Sequence, residues 1–406
     1  MFSKDLLFYY AISFLYFTQI KGFPAYDVII HEAAYTFFKT FSQMLATATI
    51  YKLSKKISIC VANGFLIIFF LFVIFANNPI HCIIASFFSA FGFAFKEVLE
   101  TTFIFDFIED TPSHKRSLFS KVDGKASSYY FLLASIASFS AGILFSYNPY
   151  IPMVLGLICI IISLIISFFF ITPHPEKEIH YEYHKHYKSY FKELYSSFNF
   201  VFKSTRLTCL ILFNSLFYSL FTILLIYRTS LLTNINFTPT HIGILFALFG
   251  ILSAFSARQA HVFHEKLKHT TLTYISLIYC FATILAGFVV FFKLPTFILY
   301  FIVLIMFCIQ FFLEGPYETL ITQYLCNFTT ARMRTKIYTI NSILIEAVST
   351  LFLLFAAFLL HFVTTETAFI ILGSVYAFSF LLILGYMKKH VNPEVDEFDK
   401  SEIYVK

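Results

Sequence analysis

Seven ionisable side chains stand inside long apolar runs. Residues 95–105 read FKEVLETTFIF and carry Lys96, Glu97 and Glu100; residues 313–323 read LEGPYETLITQ and carry Glu314 and Glu318; Lys39 and Glu346 stand in two further runs. A carboxylate in such surroundings has three uses: it exchanges a proton reversibly, it holds a cationic group of a solute, or it neutralises a nearby cation. Spacing groups them. Glu97 and Glu100 are three residues apart and Glu314 and Glu318 four apart, so each pair shares a helical face. Lys96 and Glu100 also have ion-pair spacing. Gly315-Pro316 separates the second pair, and a proline there withdraws an amide and frees the carbonyl of Phe312.

The two stretches echo each other. Leu99-Glu100-Thr101 and Tyr317-Glu318-Thr319 lie 218 residues apart, and the same offset relates Arg116 to Arg334. Glu100 with Arg116, and Glu318 with Arg334, are therefore candidate gating ion pairs at corresponding places in two halves of the chain. Lys39, Lys96, Glu97, Glu100, Glu314, Glu318 and Glu346 are the candidates for binding a solute or carrying a proton. The competing reading is that some of these acids only neutralise Lys39, Lys96 or a cytoplasmic arginine.

The elements that position these groups follow from composition. The chain of 406 residues is 59% hydrophobic and 13% charged, with a mean hydropathy of +0.78; soluble domains average about 25% charged residues. This is a membrane composition. A bilayer-crossing helix needs roughly 20 apolar residues. Twelve spans are expected, at about 6–22, 34–52, 57–76, 79–108, 126–147, 150–171, 206–230, 240–260, 270–292, 295–325, 337–362 and 366–387. Lys52, Lys55, Lys56, Lys115, Arg116, Lys121, Lys125, the 177–206 region, Arg258, Lys266, Lys268, Arg332, Arg334, Lys336, Lys388 and Lys389 all fall on one side of this layout. The positive-inside bias makes that side, and both termini, cytoplasmic. Lys21, Arg228 and Lys293 fall on the outer side. No cleavable leader is expected, because the first apolar run has no small-residue cleavage site after it.

The expected fold is all-α and integral to the membrane, with two pseudo-symmetric six-helix bundles at 1–172 and 206–388. A cytoplasmic linker at 173–205 joins them and a tail covers 389–406. The linker turns charged and helix-like after its prolines and reads as an amphipathic helix on the membrane surface; its histidines (His174, His180, His184, His186) do not make a convincing metal site. Spans 3, 6, 9 and 12 carry no charge in their centres, the pattern of spans facing lipid while the others surround a polar pathway. Glu346 lies about 10 residues into its span, roughly 15 Å at 1.5 Å per residue, near the midplane. Seven scattered cysteines read as small hydrophobes. No Gly-rich phosphate loop, coherent nucleophile or metal set is present in the sequence, so no enzyme, no cofactor and no nucleic-acid partner is expected.

Two six-span halves, a basic central loop and the 218-residue echo make the chain resemble the major facilitator superfamily (MFS) over nearly its whole length. It is also similar to a poorly characterised bacterial branch of that superfamily, through Phe105-Asp106, Lys121-Val122-Asp123-Gly124 and Ala141-Gly142. The superfamily's loop 2–3 signature falls at 47–56. Here the basic half survives as Lys52, Lys55 and Lys56, but the Asp and both glycines are missing, which leaves the ion-pair latch usually assigned to that Asp without its acid. Residues 135–144, SIASFSAGIL, lack the proline of the antiporter signature, so drug/proton antiport is not carried over. The resemblance implies a secondary active transporter of the cell membrane. It would act as a monomer and move a small solute by alternating access, with a proton as coupling ion. The missing signature residues motivate an alternative, a transport-inactive sensor or scaffold that keeps the fold.

Overall fold

The structure, a computed structural model, describes residues 8–50, 55–107, 115–169, 187–267, 270–292, 294–327 and 331–390. Every regular element among them is helical. The order is α1 (Ser13–Leu15), continued by a π-helical turn (Tyr16–Ile20), α2 (Ala25–Ile50), α3 (Lys55–Ile74), α4 (Pro79–Phe107), α5 (Lys115–Tyr147), α6 (Ile151–Phe168) and α7 (Tyr187–Lys203). Then come α8 (Thr205–Asn234), α9 (Pro239–Ala257), α10 (Ala260–Leu267), α11 (Thr271–Phe291), α12 (Thr296–Asn327), α13 (Ala331–Phe362) and α14 (Thr365–His390). Among the described residues nine helices are long and apolar enough to cross a bilayer. With α1 and its π turn, α2 and α5, whose polar content or length keeps them below that mark, they account for the twelve expected segments. The helices α7 and α10 are too short or too polar to span.

The chain forms two compact units: Met1–Glu193 with Pro239–Ala247, and Leu194–Thr238 with Leu248–Lys406. In the first, α4 packs against α2 and α3, and α3 also packs on α6. In the second, α11 packs on α14 and α12, and α8 on α13 and α14. Lipid tails are as apolar as leucine, so such helices associate through close packing and interhelical hydrogen bonds. Glycines allow the closest crossings. A Cβ on Gly142 of α5 would lie 2.7 Å from the Pro239 carbonyl oxygen and 2.8 Å from Gly243 Cα of α9. Ser146 and Thr240 share a hydrogen bond of 2.7 Å beside that contact. Ala141-Gly142, one of the sequence signatures, is thus the place where two backbones touch.

The second helix begins nine residues earlier than expected, at Ala25 and not near 34. Asp27, His31 and Glu32 lower the hydropathy of 25–33. Burial nonetheless succeeds because His31 finds partners. Its Nε2 is 3.1 Å from the Tyr9 hydroxyl, and its Nδ1 meets Ser86 Oγ of α4. At the same end of this unit Lys21 donates to the Ile74 carbonyl at 2.7 Å, closing the C-terminus of α3 where a cation is favoured. The same ammonium lies 5.5 Å from the ring centres of both Tyr16 and Tyr150.

Candidate functional site

The most polar buried assembly among the described residues lies in the second unit, built from one residue of α8, two of α11 and three of α12. Arg228 on α8 is wholly buried. Its Nη2 donates to Glu314 Oε1 at 2.6 Å and to the Tyr279 hydroxyl at 2.6 Å, and its Nε donates to Gln310 Oε1 at 2.9 Å. The Tyr279 hydroxyl in turn donates to Glu314 Oε1 at 2.7 Å, and Gln310 Nε2 donates to Thr283 Oγ1 at 2.9 Å. The guanidinium carbon lies 4.3 Å from the ring centre of Phe311. Arg228 Nη1 is buried with no hydrogen-bond partner among the described residues.

These contacts explain why a cation survives inside an apolar bundle. Desolvating an unpaired ion costs several kcal/mol. Here the charge is met by a carboxylate through a short, charge-assisted bond, and its face is covered by an aromatic ring. Tyr279 and Gln310 add neutral hydrogen bonds to Nη2 and Nε, and both are fully buried. The Glu314 side chain keeps about 10% of its surface, the one ionic member open at its edge.

Depth follows from helical register. Arg228 lies six residues before the end of α8, about 9 Å at 1.5 Å per residue. The Tyr300 hydroxyl donates to the Ile235 carbonyl at 2.9 Å, which levels the first turns of α12 with the end of α8. Gln310 is ten residues further along α12, about 15 Å.

Local sequence sets the approach of α12. Its helix runs through Pro316 without ending. A Cβ on Gly315 would collide with the Ser253 carbonyl and come within 2.7 Å of Ser256 Oγ, so only glycine lets α12 lie this close to α9. Ser253 Oγ donates to the Phe311 carbonyl at 2.6 Å, one turn before the proline. Below the ionic group a second polar layer links three helices. Asn214 Nδ2 of α8 donates to Asn341 Oδ1 of α13 at 2.9 Å, and the Tyr317 hydroxyl donates to Asn214 Oδ1 at 3.3 Å.

The expected site residues separate into groups. Glu314 is in the ionic group, and its partner is a residue that the span layout had put on the outer side. Arg228 looked like a rim residue because the seventh span was drawn to end at 230. The helix in fact continues to Asn234 and carries Arg228 inward. Span 9 was expected to face lipid. It does expose Tyr274, Ile278 and Phe281, yet its other face delivers Tyr279 to Glu314. Glu318, one turn after Glu314, is exposed, so the two acids do not share an environment. Glu346 is buried on α13, and Thr350 Oγ1 donates to its carbonyl at 2.8 Å.

In the first unit Lys39 Nζ lies 3.4 Å from Glu97 Oε2, which also accepts from Gln43 Nε2 at 3.3 Å. The Glu97 side chain is 52% exposed, so this pair is far wetter than Arg228–Glu314. Lys96 is buried. The side chains of Glu100, Arg116 and Arg334 lie outside the described residues, as do residues 173–186 of the linker.

The model for the family described as "Major Facilitator Superfamily" matches residues 5–343. No curated protein matches by sequence. Among solved structures, the nucleoside transporter NupG is similar with a TM-score of 0.72 at 12% identity, over 95% of this chain and 97% of that one. A D-xylose–proton symporter is similar with a TM-score of 0.70 at 10% identity, over 94% and 95% of the two chains. A POT family transporter in complex with 5-aminolevulinic acid gives 0.70 at 11% identity, over 96% and 95%. Likeness at these identities establishes the fold.

Proposed function

The chain belongs to the Major Facilitator Superfamily, and we propose that it is a secondary active transporter that moves a small solute by alternating access, coupled to protons. The observation that supports this most is the buried Arg228–Glu314 pair inside the second unit. A pathway needs charge that is held in place yet able to change. A buried ion in a bundle is expensive to build and marks a function by default. Glu314 is the member open at its edge. Taking up a proton there, or receiving a cationic group, loosens its hold on Arg228 and frees the guanidinium to bind an acceptor oxygen. The solute-transporter neighbours have the same fold and give the reading its class; D-xylose–proton symport is said of one of them.

The remaining assignments belong to the same proposal. Glu346, Lys96, Lys39, Glu97, Glu100 and Glu318 are further groups for solute or proton. Glu100–Arg116 and Glu318–Arg334 close the inner ends of the fourth and tenth spans. The two bundles are 1–172 and 206–388, joined by the linker and followed by the tail. The basic loops and both termini face the cytoplasm, and the protein acts as a monomer in the cell membrane. It performs no catalysis.

A thermal-shift panel of sugars, nucleosides, peptides, amino acids, vitamins and organic cations on purified protein at two pH values tests this. A solute at 100 times its dissociation constant adds about 2.7 kcal/mol of stability. A stabilising solute whose effect changes with pH and disappears in Glu314→Gln supports the transporter. A panel that stabilises nothing favours the sensor or scaffold instead.

A further inference from the structure

We propose that α7 is an interfacial helix that binds the anionic phospholipid headgroups of the leaflet at the start of α8. This holds whether or not the chain transports a solute. Its position comes first. Only Ser204 separates α7 from α8, a membrane-spanning helix, so α7 lies at the level where that span enters the bilayer. The two are tied: Thr208 Oγ1 of α8 donates to the Val201 carbonyl of α7 at 2.7 Å, and the Ser204 amide donates to the same carbonyl at 3.1 Å.

Its faces come next. Leu194, Ser197 and Val201 are buried, at the spacing of one helical stripe. Tyr195 and Phe202 are strongly exposed, at 73% and 54%, and Phe198 stacks on Phe202 with ring centres 6.2 Å apart. At about 100° per residue these three aromatics fall within roughly 60° of one another, on the flank of the buried stripe. Lys192, Asn199 and Lys203, all exposed, continue the arc beyond them. An aromatic flank beside a basic ridge suits the boundary between acyl chains and headgroups, where amphipathic rings settle and ammonium groups reach phosphate. The charge balance fits that occupant: the sequence of α7 holds Lys188, Lys192 and Lys203 against Glu193 alone. With no tryptophan anywhere in the chain, the aromatic anchoring of this boundary falls to tyrosine and phenylalanine.

That absence also supplies the test. Phe202→Trp in the full chain creates a sole tryptophan, excited selectively over the tyrosines at the red edge, and Tyr195→Trp in a separate variant a second reporter on the same flank. Each is placed in nanodiscs of phosphatidylcholine or of a phosphatidylcholine–phosphatidylglycerol mixture, with or without bromine on the acyl chains near the headgroup. The expected result is blue-shifted emission, quenching by the brominated lipid and shielding from acrylamide, all stronger in the anionic mixture. Adding Lys192→Gln and Lys203→Gln removes the dependence on phosphatidylglycerol. Two results overturn the proposal: acrylamide quenching as free as that of N-acetyltryptophanamide in buffer, without quenching by brominated lipid, or lipid quenching that is identical in both mixtures.

Discussion

Arg228 and Glu314 lie 86 residues apart in the sequence and meet at 2.6 Å between α8 and α12, inside one bundle. Among the described residues neither has another counter-charge in the contacts around it: Tyr279, Gln310 and Phe311 supply only dipoles and a ring face. Removing either partner strands the other, whereas removing both does not. Breaking a buried pair one-sidedly costs about 3–5 kcal/mol, and replacing both members with apolar residues is often neutral. Glu314→Gln and Arg228→Met are each expected to lower the thermal unfolding midpoint well below wild type. The Arg228→Met, Glu314→Met double variant is expected to recover most of the loss. Additive losses would refute the pairing.

Tyr279→Phe separates the hydroxyl from the ring. The ring keeps its tilted contact with Phe217, whose centre is 5.0 Å away, while Arg228 and Glu314 each lose one hydrogen bond. The expected cost is about 1–3 kcal/mol, smaller than for Glu314→Gln. An unchanged unfolding midpoint would show that the hydroxyl is dispensable to the ionic group.

The Lys39–Glu97 pair gives the opposite expectation. One member is half-exposed, and pairs in water contribute about 0–1 kcal/mol. Lys39→Gln should leave the unfolding midpoint close to wild type. A loss as large as that of Glu314→Gln would mean the pair is desolvated.

Gly315→Leu is expected to push α12 off α9, because its side chain would enter the space of the Ser253 carbonyl. Overpacking of this kind costs about 1–3 kcal/mol. Leucine at Gly64, where nothing lies within 4 Å of an added Cβ, is the matched control and should be silent. Equal behaviour of the two variants in expression and melting would contradict this close approach.

Much of the architecture was legible from runs of apolar residues, because bilayer thickness fixes the length of a span. The positions of Glu314, Glu346 and Lys96 were legible for the same reason: a charge is conspicuous in such a run. What joins them was not. Ion pairing between α8 and α12 depends on how two helices lie side by side, and no local pattern records that. Arg228 could have been found by one signal. Thr229–Asn234 offers no helix breaker, so the helix had room to carry the arginine inward. The start of α2 was hidden by chemistry. Asp27, His31 and Glu32 look like loop residues until Tyr9 and Ser86 arrive from other segments to bond His31. Tyr279 was hidden because a tyrosine in an apolar span resembles any other aromatic residue until its hydroxyl finds a carboxylate.

Glu346 tests the coupling independently of the Arg228 group. It is buried on α13. Glu346→Gln keeps shape and removes the ionisable group, so proton-coupled uptake is expected to disappear while expression and folding persist. Normal uptake driven by a pH gradient would remove Glu346 from the proton path.

The most direct measurement is solute-driven proton movement in proteoliposomes carrying a pH-sensitive dye, with a solute found by thermal shift. Wild type is expected to acidify the lumen when that solute is added outside. Glu314→Gln, shown to be folded and inserted, is expected to give no acidification. Acidification by Glu314→Gln at the wild-type rate would contradict the claim that the Arg228–Glu314 pair is the working centre of this transporter.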